Sequence, residues 1–68
     1  MKRQDVIQKL QDGYTIIYSR GFTSDSFFAK SGETVNIGTT LWLIQNGMVD
    51  ERKSETAHGM SYLTWKPK

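Results

Sequence analysis

Thr34-Val35-Asn36-Ile37-Gly38-Thr39-Thr40-Leu41-Trp42-Leu43-Ile44-Gln45-Asn46-Gly47 is the stretch on which the fold turns, because two hydrophobic periods fit it. As a helix capped by Asn36, it sets Ile37, Thr40, Leu41 and Ile44, with Met48 just beyond, on one stripe and closes at Asn46-Gly47. As a strand, it alternates Val35, Ile37, Thr39, Leu41 and Leu43 on one face, and Asn46-Gly47 becomes a tight hairpin turn. The β-branched residues favour the strand. Met48-Val49-Asp50-Glu51-Arg52-Lys53, with only two apolar residues, would pair poorly along the length of such a strand and favours the helix. The helix is our reading, with the strand as the alternative.

Downstream, Met48 to Lys53 and Met60 to Trp65 read as the two strands of a hairpin, joined through Ser54, Glu55, Thr56, Ala57, His58 and Gly59 and stopped by Pro67. Upstream, Val6, Ile7 and Leu10 recur at helical spacing between Arg3 and Asp12, and Gly13 stands where a helix ends. Tyr14 to Arg20 is rich in β-branched and aromatic residues, and Ser26 to Lys30 follows the turn formers Thr23-Ser24-Asp25, so a first hairpin is expected here. The predicted fold class is α+β in the order helix, hairpin, helix, hairpin, with Ile16, Tyr18, Phe27, Val49, Leu63 and Trp65 on the inner face of a small antiparallel sheet. The alternative is a mostly β barrel with one N-terminal helix.

At 68 residues the chain is near the lower size limit for folding unaided, so one domain spanning residues 1–68 is expected. It has no cysteine and one histidine, which removes disulfides and the usual zinc ligand sets as staples. Stability therefore falls to aromatic packing or to a second subunit. The longest apolar run, Leu41 to Ile44, is far short of the ~20 residues that span a bilayer, and Met1-Lys2-Arg3 leads into polar Gln4 and Asp5. A cytoplasmic protein without signal peptide or membrane span is the expectation.

Catalysis is not expected. Ser54, Glu55 and His58 bring a hydroxyl, a carboxylate and an imidazole close in sequence, but in an exposed turn that would not hold their geometry. One histidine and scattered carboxylates do not close a metal site, and the glycines are spread as punctuation rather than gathered into a phosphate cradle, so neither metal nor cofactor is expected. Binding is favoured by the wheel of the second helix. With Ile37, Thr40, Leu41 and Ile44 inward, Trp42 points away with Thr39, Gln45 and Asn46, and Leu43 lies on a flank. Such an indole is either covered by another part of the fold, such as the N-terminal helix, or anchors a partner. Net charge is only +2, so the placement of bases matters more than their number. They cluster at Lys2-Arg3, Arg52-Lys53 and Lys66/Lys68, with Asp50 and Glu51 beside the middle pair.

Across residues 33–49 the chain resembles winged-helix domains. Thr39 or Thr40, the Leu43-Ile44 pair and Gly47-Met48-Val49 match a helix that carries a threonine and a Leu-Ile pair, ends in glycine, and leads through an apolar strand into a β-hairpin wing. The resemblance covers the C-terminal half, with residues 48–65 as the wing. It implies a helix that reads the major groove of duplex DNA through Thr39, Trp42, Gln45 and Asn46, with Arg52 and Lys53 on the phosphate backbone. The chain differs from that pattern in having a hairpin where a supporting helix normally sits, and no arginine or lysine in the reading helix. In size and style it also resembles the small accessory proteins of bacteriophages and prophages. The functional expectation is a non-enzymatic, winged-helix-like regulator that binds nucleic acid through Thr39, Trp42, Gln45, Arg52 and Lys53. The alternative is a protein-binding inhibitor or adaptor, or a homodimer, whose interface is Trp42, Leu43 and Asn46.

Overall fold

A computed structural model describes residues 2–20, 25–54 and 59–67. The ambiguous stretch resolves into both readings in succession. Thr34–Val35 is a two-residue strand, and Ile37–Gln45 is an α-helix. Asn36 makes the switch, because its Oδ1 accepts a hydrogen bond from the Gly38 amide at 2.7 Å and so satisfies one of the free N–H groups at the helix start. A second acceptor comes from the first hairpin, where Asp25 Oδ1 takes the Ile37 amide at 3.0 Å. A Cβ at position 38 would lie 2.9 Å from Asn36 Oδ1, so a side chain there displaces the capping oxygen. The helix closes through Asn46 into Gly47, whose φ of 65° lies in the left-handed region that glycine adopts without strain.

The elements in chain order are α1 (Arg3–Gln11), β1 (Ile16–Ser19), β2 (Ser26–Phe28), β3 (Thr34–Val35), α2 (Ile37–Gln45), β4 (Val49–Lys53) and β5 (Met60–Trp65). The strands form one open antiparallel sheet in the order β3-β2-β1-β5-β4, so the fold is α+β and the barrel alternative is excluded. β3 is the element that sequence periodicity did not anticipate. It exists because a tight turn after β2, closed by Phe28 N–H to Glu33 O at 2.9 Å and Gly32 N–H to Phe28 O at 2.8 Å, brings Val35 opposite Ser26.

Both helices pack on one face of this sheet. α1 contributes Val6 and Leu10, α2 contributes Leu43, and the strands contribute Ile16, Phe28, Val35, Val49 and Leu63 to one buried cluster. Two inward assignments differ from the expectation. Phe28, not Phe27, enters the core, because Ile16 pairs directly with Phe28 and residues opposite one another in a ladder share a face. On α2 the buried positions are Thr40 and Leu43, while Leu41 is 39% exposed. Leu43 therefore belongs to the core and is corrected as an interface residue. Tyr18 and Trp65 lie half-buried against the cluster, as expected.

Thr40 is polar, yet it is fully buried. Its Oγ1 lies 3.0 Å from Ser26 Oγ on β2 and 3.3 Å from the Asn36 carbonyl oxygen, so the hydroxyl is satisfied and links α2 to the sheet. Thr40→Val takes a partner from the buried Ser26 hydroxyl and is expected to cost about 1–3 kcal/mol. The double change Thr40→Val with Ser26→Ala removes both hydroxyls and should cost less than the two single changes together, by at least ~0.5 kcal/mol. Urea unfolding of the four proteins measures this, and strict additivity would show that the pair is not coupled.

Candidate interaction face

The outward surface of α2 carries Leu41, Gln45 and Asn46 exposed and Thr39 and Trp42 half-buried. Spacings of three and four residues bring Thr39, Trp42, Gln45 and Asn46 onto one sector of the helix, as the wheel predicts. Asn46 also bonds back along it, donating from Nδ2 to the Trp42 carbonyl at 2.8 Å. The indole of Trp42 is not bare. The Arg3 guanidinium lies 4.5 Å from the ring centroid, and the indole packs at the margin of the core. At an exposed site a cation over an indole stabilises by about 0.5–1 kcal/mol. The N-terminal helix is thus the part of the fold that covers this residue.

Sequence places Arg3 only within the Lys2-Arg3 basic cluster, although its position on the packing face of α1 is legible. Arg3, Val6, Ile7 and Leu10 form one stripe at spacings of three and four, so Arg3 continues the packing face of α1 one turn beyond its apolar part. It supplies at the surface of α2 the cation that α2 itself lacks. Lys2, next to it, is exposed.

The basic pair on β4 is split by the pleat, because successive strand residues point to opposite faces. Lys53 is paired with Ser61, on the face where the helices pack, and Arg52 is paired with Tyr62 on the opposite face. Both are exposed. The nucleic-acid candidates therefore fall into an α2 group of Thr39, Trp42 and Gln45 on the helix side with Lys53, and Arg52 apart from them. Glu51 accepts a hydrogen bond from the buried Ser61 hydroxyl at 2.8 Å, which fixes one of the acids beside the basic pair.

A groove of about 600 Å³ runs between α1 and the turn after β2, lined by Asp5, Gln8, Lys9, Glu33 and Thr34. Two of its charges are paired. Lys9 Nζ and Glu33 Oε1 are 2.7 Å apart, and this hydrogen bond raises the lysine above its ordinary pKa and lowers the glutamate below its own. Lys9 also lies 4.8 Å from the Tyr14 ring centroid. The arrangement clamps the turn to α1.

Of the hydroxyl, carboxylate and imidazole cluster considered above, Glu55 and His58 lie outside the described residues. Among the described residues there is no group of three or more histidine, cysteine, aspartate or glutamate side chains that could hold a metal ion, and no helix is long and apolar enough to cross a membrane. No protein-family model matches the chain, and neither a curated protein nor a solved structure gives a significant match.

Proposed function

We propose that this protein is a small non-enzymatic regulator that binds duplex DNA in a winged-helix-like manner, with the outward face of α2 in the major groove. The observation that carries this reading is the Arg3 guanidinium over Trp42. Stacked on an indole, a guanidinium keeps its N–H edge free for phosphate oxygens, so α1 provides the phosphate contact beside a helix that has no cation of its own. Thr39 and Gln45 are the side chains on that face able to reach base edges. The connectivity supports the same reading, because α2 leads directly into the β4–β5 hairpin and β1 pairs with β5, as a reading helix followed by a wing requires. Lys53, on the helix side of the hairpin, provides the phosphate contact of the wing. Arg52 faces away and adds only to the long-range field.

Fluorescence anisotropy of a labelled mixed-sequence duplex, titrated at several salt concentrations, tests this. Binding should weaken steeply with salt, and Arg3→Ala and Lys53→Ala should each lower the salt slope by about 1. Trp42→Ala should weaken binding at every salt concentration, and Arg52→Ala should have the smallest effect. A chain that fails to bind at low salt, or whose binding is untouched by both Arg3→Ala and Lys53→Ala, overturns the proposal. Exposure of Leu41 beside Trp42 favours a second reading, a protein-binding adaptor that uses Trp42, Leu41 and Asn46. Under that reading a partner is lost on Leu41→Ala without any dependence on salt.

A further inference from the structure

With both helices on one side of the sheet, the other side is left without a covering element among the described residues. The ladder register sets one continuous row across it. Phe27 of β2 is opposite Ile17 of β1, Ile17 is opposite Tyr62 of β5, and Tyr62 is opposite Arg52 of β4. Phe27 and Tyr62 are 38% and 40% exposed, although β2 and β5 are inner strands of the sheet. Two large aromatic side chains flanking an isoleucine on an uncovered face form an apolar patch of the kind that marks an interaction surface.

We infer that this face is a dimer interface, and that its occupant is the same face of a second copy of the chain. Three observations select that occupant. First, the row is symmetric in character about β1. A two-fold axis running along β1 sets Ile17 against Ile17 of the second copy and Phe27 against Tyr62 of the second copy, so each aromatic side chain meets the other type. Second, the charge on this face suits a protein better than a phosphate chain. By the pleat and the register, the strands place only Asp50 and Arg52 among charged residues on this side, and these cancel. Third, the size is sufficient. The molecular extents of 28 × 24 × 23 Å set an upper bound of roughly 1,100–1,300 Å² on the surface that covering one face on each of two copies removes from water, which corresponds to a weak dimer at the small end of specific interfaces. The edges of the sheet do not compete. β3 is two residues long, and the β4 edge reads Asp50-Glu51-Arg52-Lys53, both being devices that discourage edge pairing.

Sedimentation equilibrium of the full chain from about 1 µM to about 500 µM is the experiment, a range that spans weak association through a small interface. Phe27→Lys and Tyr62→Glu should each weaken association by at least ~30-fold, because every substitution acts twice across the two-fold axis. An equimolar mixture of the two variants should dimerise again. In that heterodimer the introduced lysine faces the introduced glutamate once, and the native Phe27–Tyr62 contact remains at the other position. Circular dichroism confirms that each variant is folded, and the milder Phe27→Gln or Tyr62→Gln replaces the one at the same position that is not, the mixture then keeping one native Phe27–Tyr62 contact. A wild-type chain that stays monomeric throughout the range overturns the inference, as do single variants that associate like the wild type or a mixture that fails to recover. A monomer that binds a labelled single-stranded oligonucleotide, and loses it on Tyr62→Glu, assigns the face to nucleic acid and equally overturns it.

Discussion

Phe28→Ala should leave the chain largely unfolded at room temperature, while Phe27→Ala should fold with a stability loss below about 1 kcal/mol when measured on dilute protein. Phe28 is fully buried, meets Tyr14 edge to face with centroids 5.8 Å apart, and closes the turn after β2 through both its amide and its carbonyl. Truncating a buried phenylalanine costs about 3–5 kcal/mol, and a core of this size supplies total stability of only about 3–5 kcal/mol. Loss and reserve are therefore comparable. Phe27 differs because it is exposed, on the face of the sheet away from the helices. Far-ultraviolet circular dichroism and urea unfolding of both variants separate the cases, and equal losses would contradict the pairing of Ile16 with Phe28.

The second large effect is expected at Leu43. Leu43→Ala opens a cavity beneath α2 and should cost about 2–5 kcal/mol, whereas Leu41→Ala, about 200° around the helix and exposed, should cost under about 1 kcal/mol. For a domain of this length each kcal/mol moves the melting temperature by roughly 4–8 °C, so a thermal melt distinguishes the two without denaturant extrapolation. The outcome also bears on function. If Leu41→Ala were the more damaging, the stripe facing the sheet would be Ile37, Thr40, Leu41 and Ile44, and Leu41 would be withdrawn from the exposed surface on which the adaptor reading relies. Leu43 carries a second constraint, since its carbonyl accepts the Met48 amide at 3.1 Å and so directs the chain from α2 into β4.

Much of the architecture is local in origin and could be read from neighbouring residues. The stripe of Val6, Ile7 and Leu10 followed by Gly13 specifies α1, and the Asn36 cap with the Asn46-Gly47 exit brackets α2. Both hairpins were legible from β-branched and aromatic runs between turn residues. The face of α2 was not. Leu41, Trp42, Leu43 and Ile44 are consecutive and apolar, so they cover the whole circumference of the helix, and the wheel offers no unique inward direction. Of the expected inward stripe Thr40 is fully buried, meeting Ser26 in the interior, whereas Leu41 is exposed and Leu43 takes the buried position beside Thr40.

The candidate site divides in the same way. That Thr39, Trp42, Gln45 and Asn46 share a sector follows from helical spacing alone. That Arg3 lies over Trp42, across 39 positions of chain, depends on how α1 and α2 settle side by side on the sheet. The separation of Arg52 from Lys53 is implicit in any strand, but which of them joins the helix side depends on the Lys53–Ser61 register.

Outside residues 34–47, where two periods compete, sequence by itself thus determined where the chain is helical or extended and where it turns, because these choices rest on interactions within a few residues. Tertiary structure alone decided which of Phe27 and Phe28 is interior, that Leu43 rather than Leu41 is buried, that Thr34 and Val35 join the sheet, and that Arg3 meets Trp42. Each of these depends on the register and docking of segments far apart in the chain, where a shift of one residue exchanges the inner and outer faces without changing any local preference.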